Sequence, residues 1–217
     1  STPLYSSAAS DVYKRQVFFA HIPRTAGRYV EANFLWRNDF TWDELPLDTG
    51  KGVMTDLHGA EIAHWHKDIY EEHLNVKDIP NFSIVRNPID RFISGSVYLK
   101  RLYGNDSQEL FEDPNLFFSM IANIEAMDPS FSANWFMPQV EFMTDRTKIW
   151  KFEDSMGDNF VEWLGNLIGV KLKFDEDIEY PKANDEGNKL DKTPKLIDNV
   201  KQLYRKDIEQ FYPELAA

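Results

Sequence analysis

A chain of 217 residues and 25.4 kDa has room for one globular domain with appendages but not for two full domains. Its 42% hydrophobic and 14% aromatic content suffices for a sizeable core and excludes disorder throughout, while the absence of cysteine excludes a disulfide scaffold, a thiolate nucleophile and zinc–thiolate or iron–sulfur sites. The net charge of −12 argues against general binding to nucleic acid or an anionic membrane, and no apolar run approaches the roughly 20 residues of a spanning helix, which predicts a soluble, cytoplasmic protein.

Ser1 to Gln16 is polar and Ser-rich and lacks the apolar centre of a secretory signal. It is expected to be a disordered or expression-derived stretch, with the folded domain over residues 17–217. Val17-Phe18-Phe19-Ala20 reads as a strand buried on both faces, running into His21-Ile22-Pro23-Arg24-Thr25-Ala26-Gly27 and then a helix to about Trp36. Ala60 to Leu74 reads as a further helix. Phe82-Ser83-Ile84-Val85 gives a second buried strand, followed at once by Asn87-Pro88-Ile89-Asp90, where Asn at the cap and Pro at the first helical position predict a helix that buries Ile89, Phe92, Ile93 and Val97. The same device at Asp113-Pro114 and Thr193-Pro194 predicts helices near 114–126 and 194–211. Lys148 to Phe152 reads as a third strand, Asn159 to Ile168 as a helix ending at Gly169, and Asp175 to Lys192 as a polar loop. Strands alternating with helices predict a single α/β domain with a mainly parallel central sheet flanked by helices.

The acidic average conceals two basic islands. Residues 14–37 hold five basic side chains against Glu31, and residues 86–101 hold four against Asp90. Both islands fall at strand-to-helix junctions, where ligands of parallel α/β sheets sit. The first would gather backbone N–H groups, the Thr25 hydroxyl and the guanidiniums of Arg24 and Arg28 around one point, as an anion cradle does. It is not a Walker A loop, because G-x-x-x-x-G-K-S/T occurs nowhere in the chain, and this demotes magnesium–ATP chemistry. The second offers Arg86 at a strand end and Ser94 two turns into the next helix. On spacing alone two readings stand there: a phosphate site, or an Arg86 paired with an acidic neighbour and a Ser94 that packs.

Phe19 to Gly27 resembles the 5′-phosphosulfate loop of carbohydrate-type sulfotransferases, H-I-P-K-T-A-G-T-S, and Phe82 to Ser94 is similar to their F-x-x-V-R-D/N-P-x-x-R-x-x-S segment. Pro138-Gln139, Trp150-Lys151-Phe152-Glu153 and Leu203-Tyr204-Arg205-Lys206-Asp207 echo later parts of the family in order, so the resemblance covers about residues 17–212. It implies a P-loop-NTPase-like sulfotransferase fold and transfer of a sulfuryl group from 3′-phosphoadenosine 5′-phosphosulfate (PAPS) to a hydroxyl, preferably on a saccharide. The product nucleotide would be 3′-phosphoadenosine 5′-phosphate (PAP), and no metal is required. It also implies that Arg24, Thr25, Ala26, Gly27, Arg28 and Tyr29 hold the 5′ side of the donor and that Arg86 and Ser94 hold its 3′-phosphate. The family's Lys is Arg24 here and its Thr-Ser pair is Arg28-Tyr29, which removes two hydroxyl contacts and alters the charge donor.

Sulfuryl transfer builds charge on the bridging oxygen of the leaving phosphate, and Arg24 is the candidate for stabilising it. The acceptor also needs a base. His58 is preferred because relatives carry H-A-T-A or H-G-H before a helix at that place, and a capping or packing role stands beside it. Glu31 is the reserve base, with His66 next. His64 and His66, two apart on a predicted helix, face different sides and do not suggest a shared metal. His21 is expected to orient the first loop, Glu153 to brace the nucleotide loops, and Gln139 to be structural or acceptor-facing. Asn134-Trp135-Phe136-Met137-Pro138 is read as core in preference to a sugar-stacking platform. Two other functions remain open: a nucleotide-dependent phosphoryl transferase, and an inactive nucleotide- or glycan-binding module.

Overall fold

Phe82 and Ile84 share one face of β2 (Asn81–Val85), Ser83 and Val85 share the other, and all five residues of the strand are buried. β2 is the middle of a three-stranded parallel sheet, between β1 (Phe18–Phe19) and β3 (Lys148–Lys151). The computed structural model describes residues 17–38, 64–74, 76–103, 108–127, 133–174 and 190–216. Among these residues β1 and β3 are edge strands, which corrects the expectation of a first strand buried on both faces: Phe18 and Phe19 are only half-buried. The third strand stops at Lys151, and Phe152–Asp154 turns away as a 3-10 turn.

Helices pack on both faces. On the Phe82–Ile84 side, Val30 and Phe34 meet Phe160, Leu164 and Ile168 of α6 (Asp158–Ile168), each buried side chain contributing about 1.5–3 kcal/mol of apolar transfer. On the Val85 side, Ile22 and Phe142 meet Phe211 and Tyr212 at the end of α8 (Arg205–Phe211). A third apolar cluster joins α3 (Pro88–Tyr103), α4 (Gln108–Glu112), α5 (Pro114–Met127) and α7 (Pro194–Leu203) around Phe92, Phe117 and Phe136. The result is a single α/β domain with a parallel sheet.

The three cap-and-proline helix starts form through the expected chemistry. Asn87 Oδ1 accepts from the N–H groups of Ile89 (3.0 Å) and Asp90 (3.4 Å), Asp113 Oδ1 from Asn115 (2.9 Å), and Thr193 Oγ1 from Leu196 (3.2 Å). Gly169 closes α6 in the left-handed conformation (φ 71°). Two helices differ from expectation. The helix after the first loop is α1 (Gly27–Val30) followed by a π-helical turn (Glu31–Leu35) and a 3-10 turn (Trp36–Asn38). The wider turn lets Glu31, Asn33, Phe34 and Leu35 all be buried, which a regular amphipathic helix does not allow. The helix from Pro194 breaks at Tyr204 (φ −106°, ψ 30°), whose hydroxyl donates to Phe136 O at 2.8 Å. Of the helix expected over 60–74, α2 (Lys67–His73) is described, with His66 as its extended cap residue; residues 60–63 lie outside the described set. Among the described residues no helix is long and apolar enough to cross a membrane.

Candidate active site

Because the strands are parallel, the chain leaves β1 and β2 at the same end of the sheet. The first loop is tightly built. Ala20 N donates to Phe82 O at 2.9 Å, Ile22 is fully buried, and the buried Thr25 hydroxyl donates back to Ile22 O at 2.8 Å. Arg24 (φ 69°) and Ala26 (φ 68°) both sit in the left-handed region, at roughly 1–2 kcal/mol for each non-glycine residue. Gly27 follows because a Cβ there would fall on the His21 imidazole. His21 Nδ1 in turn lies 2.9 Å from Glu31 Oε1, with both side chains buried. His21 and Glu31 therefore lie beneath the loop and fix its shape from inside.

The second loop meets the first through side chains. The Arg24 guanidinium donates to Ser94 Oγ from Nη2 (2.9 Å) and Nε (3.2 Å) and lies over the Tyr98 ring, 4.9 Å from its centroid. Ser94 and Tyr98 are one turn apart on α3 and share a face. Arg86 Nη1 donates to Arg24 O at 3.2 Å, and the Arg86 guanidinium lies 4.6 Å from the Phe152 ring centroid. Burial lowers the Arg86 pKa against the opposing pull of Asp90, Glu153 and Tyr212, yet a guanidinium keeps its charge. Gly95 makes the approach of α3 possible, since a Cβ there would be 2.9 Å from Phe136 and 3.7 Å from Arg24 Cγ. At the carboxyl ends of β1 and β2 the Arg24 guanidinium thus reaches the Ser94 hydroxyl of α3, and the Arg86 guanidinium reaches the Arg24 carbonyl.

The other residues singled out in the sequence lie around this centre. Arg28 is exposed on α1, and Tyr29 is half-buried with its ring against Phe34 at 5.7 Å; burial raises the Tyr29 pKa, with Arg37 opposing. The Tyr29 side chain therefore turns toward the apolar cluster. Phe136 enters the core, while Trp135 is half-buried against Tyr98 at 4.9 Å. His64 is buried, edge-on to His21 at 4.9 Å, and His66 is 3.9 Å from Asp68. His58 lies outside the described residues.

A model of the sulfotransferase family matches residues 11–213. The chain belongs to the sulfotransferase family. A solved sulfotransferase from Alicyclobacillus acidocaldarius is similar at 16% identity over 68% of this chain, with a TM-score of 0.39, and the chain spans 57% of that protein's length. Among curated proteins, none matches at a significant level.

Sequence reasoning gives no role to two residues that hold the loops of this sulfotransferase-family chain together. Arg91 is fully buried and divides its donors among Pro23 O (3.0 Å), Met137 O (3.0 Å) and Trp135 O (3.1 Å), tying the first loop to the 135–137 segment. Burial lowers its pKa, and Tyr204 and Asp207 oppose that shift. Asp207 accepts from the backbone N–H groups of Gln139 (2.8 Å) and Val140 (3.0 Å). Both residues stand inside the quoted motifs, but their partners are 44 to 68 positions away, and nothing in the local spacing names them.

Proposed function

We infer that the chain transfers a sulfuryl group from PAPS to a hydroxyl, with a saccharide as the preferred acceptor. The observation that carries this reading is the interlock of Arg24, Ser94 and Arg86 at the carboxyl ends of two parallel strands. It supplies concentrated positive charge for a ligand with phosphates at both ends. The residues fit such a donor: the two guanidiniums offer forked donors for phosphate oxygens, while Gly27 and Gly95 let the loop and α3 pack against His21 and Phe136. On this reading Arg86 and Ser94 hold the 3′-phosphate, and the loop from Arg24 to Tyr29 holds the 5′ side. When bound, the donor supplies the activated sulfuryl group. Arg24 places its charge where negative charge develops on the leaving side, and His58 is the preferred group to take the acceptor's proton. Tyr98 and Trp135 form a half-buried aromatic wall beside Arg24 that suits the apolar face of a sugar.

A second reading, a nucleotide-binding module without turnover, draws on Arg28-Tyr29, where the tyrosine ring packs on Phe34. One pair of measurements separates the readings. Calorimetry should show PAP binding well above 5′-AMP, with Arg86→Ala removing about 1.5–3 kcal/mol from PAP binding. Incubation with PAPS and a panel of glycans should then give sulfated product. Equal affinity for both nucleotides would end the assignment, and tight PAP binding without any transfer would select the second reading.

A further inference from the structure

The peptide groups at Arg86 and Asn87 lie just beyond the last β2–β3 register pair, Val85 with Lys151, where the ladder stops. A single side-chain amide takes over. Gln139 Oε1 accepts from Arg86 N at 2.9 Å, and Gln139 Nε2 donates to Arg86 O at 2.9 Å, as a neighbouring strand would do. Gln139 is fully buried, and its own backbone N–H is held by Asp207 of α8. From the other side, Glu153 Oε1 accepts from Asn87 N at 2.7 Å, and Glu153 Oε2 accepts from the hydroxyl of Tyr212 at 2.8 Å. Tyr212 is the residue that ends α8. Two chains of hydrogen bonds therefore run from one helix to consecutive peptide groups, and the residue between them carries the guanidinium.

Resting on the reading of Arg86 as a 3′-phosphate ligand, we propose that α8 is the positioning element for that arginine. Asp207 acts through Gln139 and Tyr212 acts through Glu153, and together they fix the backbone direction from which the Arg86 side chain leaves. Neither residue touches the donor; both set where its 3′-phosphate is met. Asp207 has two carboxylate oxygens for two N–H groups, whereas an asparagine has one oxygen and would turn an amide donor toward the second N–H. Asp207→Asn therefore loosens this support without changing its size. Tyr212→Phe removes only the hydroxyl on the other side.

The experiment measures PAP and 5′-AMP affinity for the wild-type chain, Asp207→Asn, Tyr212→Phe, Arg86→Ala and the double variant Asp207→Asn/Arg86→Ala. Asp207→Asn should lower the preference for PAP by about tenfold while 5′-AMP affinity stays within about twofold, and in the Arg86→Ala background it should add nothing, because the residue acts through that side chain. Tyr212→Phe should give a smaller loss in the same direction, and it carries the test alone if Asp207→Asn does not fold. A support that merely stabilised the fold would lower both affinities together or leave the preference intact, and either result overturns the proposal, as does a loss that persists undiminished without Arg86. A wild-type chain with no preference for PAP sinks the Arg86 reading and this inference with it. A preference that Arg86→Ala abolishes and the α8 variants leave untouched sinks this inference only.

Discussion

Arg24 and Ser94, 70 positions apart, are joined by two N–H donors of one guanidinium on one hydroxyl oxygen. The pair crosses from the first loop to α3. With Tyr98 beneath, it holds the Arg24 head at a single place over the sheet end. Arg24→Ala should lower kcat for sulfuryl transfer far more than it weakens donor binding, because the contact strengthens as charge develops. Steady-state kinetics with a separate donor-binding titration would check this, and an equal loss in both would reduce Arg24 to ground-state binding. Arg24→Lys gives up the forked contact to Ser94 but offers a compact ammonium, so its melting temperature should fall while turnover holds or rises.

Gly27 faces the His21 imidazole so closely that no side chain fits. Gly27→Ala should cost about 1–3 kcal/mol through overpacking, read as a lower urea midpoint, and should abolish PAP binding as the loop is displaced. Adding His21→Ala should recover part of the stability, because the space the new methyl needs is then open. No recovery would show that the strain lies in the backbone rather than against the ring.

Arg91, itself almost fully buried, satisfies three carbonyl oxygens of two separate segments. Arg91→Met should destabilise the fold by about 3 kcal/mol or more, measured by urea denaturation. Arg91→Lys should recover little, since an ammonium on a flexible stem does not reproduce a planar fork reaching separate segments. Near-wild-type stability of either variant would contradict the clasp.

Tyr70 is buried, its hydroxyl donates to Phe142 O at 2.9 Å, and burial pushes its pKa up to about 12. The folded state thus keeps a proton that the unfolded state releases near pH 10. Its contribution is complete below about pH 10 and is lost as pH rises from there to about 12. Burial pushes Tyr204 and Tyr212 up as well, so all three act in the same direction. Unfolding midpoints taken across this alkaline window should fall with pH, and less steeply in Tyr70→Phe.

His58→Ala tests the proposed base. Sulfate transfer should drop on the order of 100- to 10,000-fold with PAP affinity nearly intact, and the wild-type rate should fall as pH drops through the imidazole range. Near-normal turnover would return His58 to a structural role. Glu31, the reserve base, is already engaged with His21 beneath the loop, so His66 would be tested next.

Short-range chemistry was the legible part of this fold. Asn87-Pro88, Asp113-Pro114 and Thr193-Pro194 announce helix starts because cap and proline act on neighbouring N–H groups, and Gly169 announces an end for the same reason. The two basic islands were legible as junctions. What stayed hidden depends on partners distant in sequence: the π-helical turn that buries Glu31 against His21, the break at Tyr204 drawn to Phe136 O, and the reach of Arg24 to Ser94. Arg91 and Asp207 were visible as letters in motifs, yet each owes its role to backbone atoms that only the folded chain brings near.

The two hydrogen-bonded relays from α8, through Gln139 and Glu153, to the backbone at Arg86 also set an order of events during synthesis. A ribosome releases both basic loops and β2 long before it reaches Asp207 and Tyr212. Until then Gln139 and Glu153 lack their supports, and the nascent chain holds a cationic sheet end without its final shape. Ligand competence is therefore expected to appear late and abruptly as the chain lengthens, and released chains truncated just before α8 and just after Tyr212 should differ sharply in their ability to retain PAP.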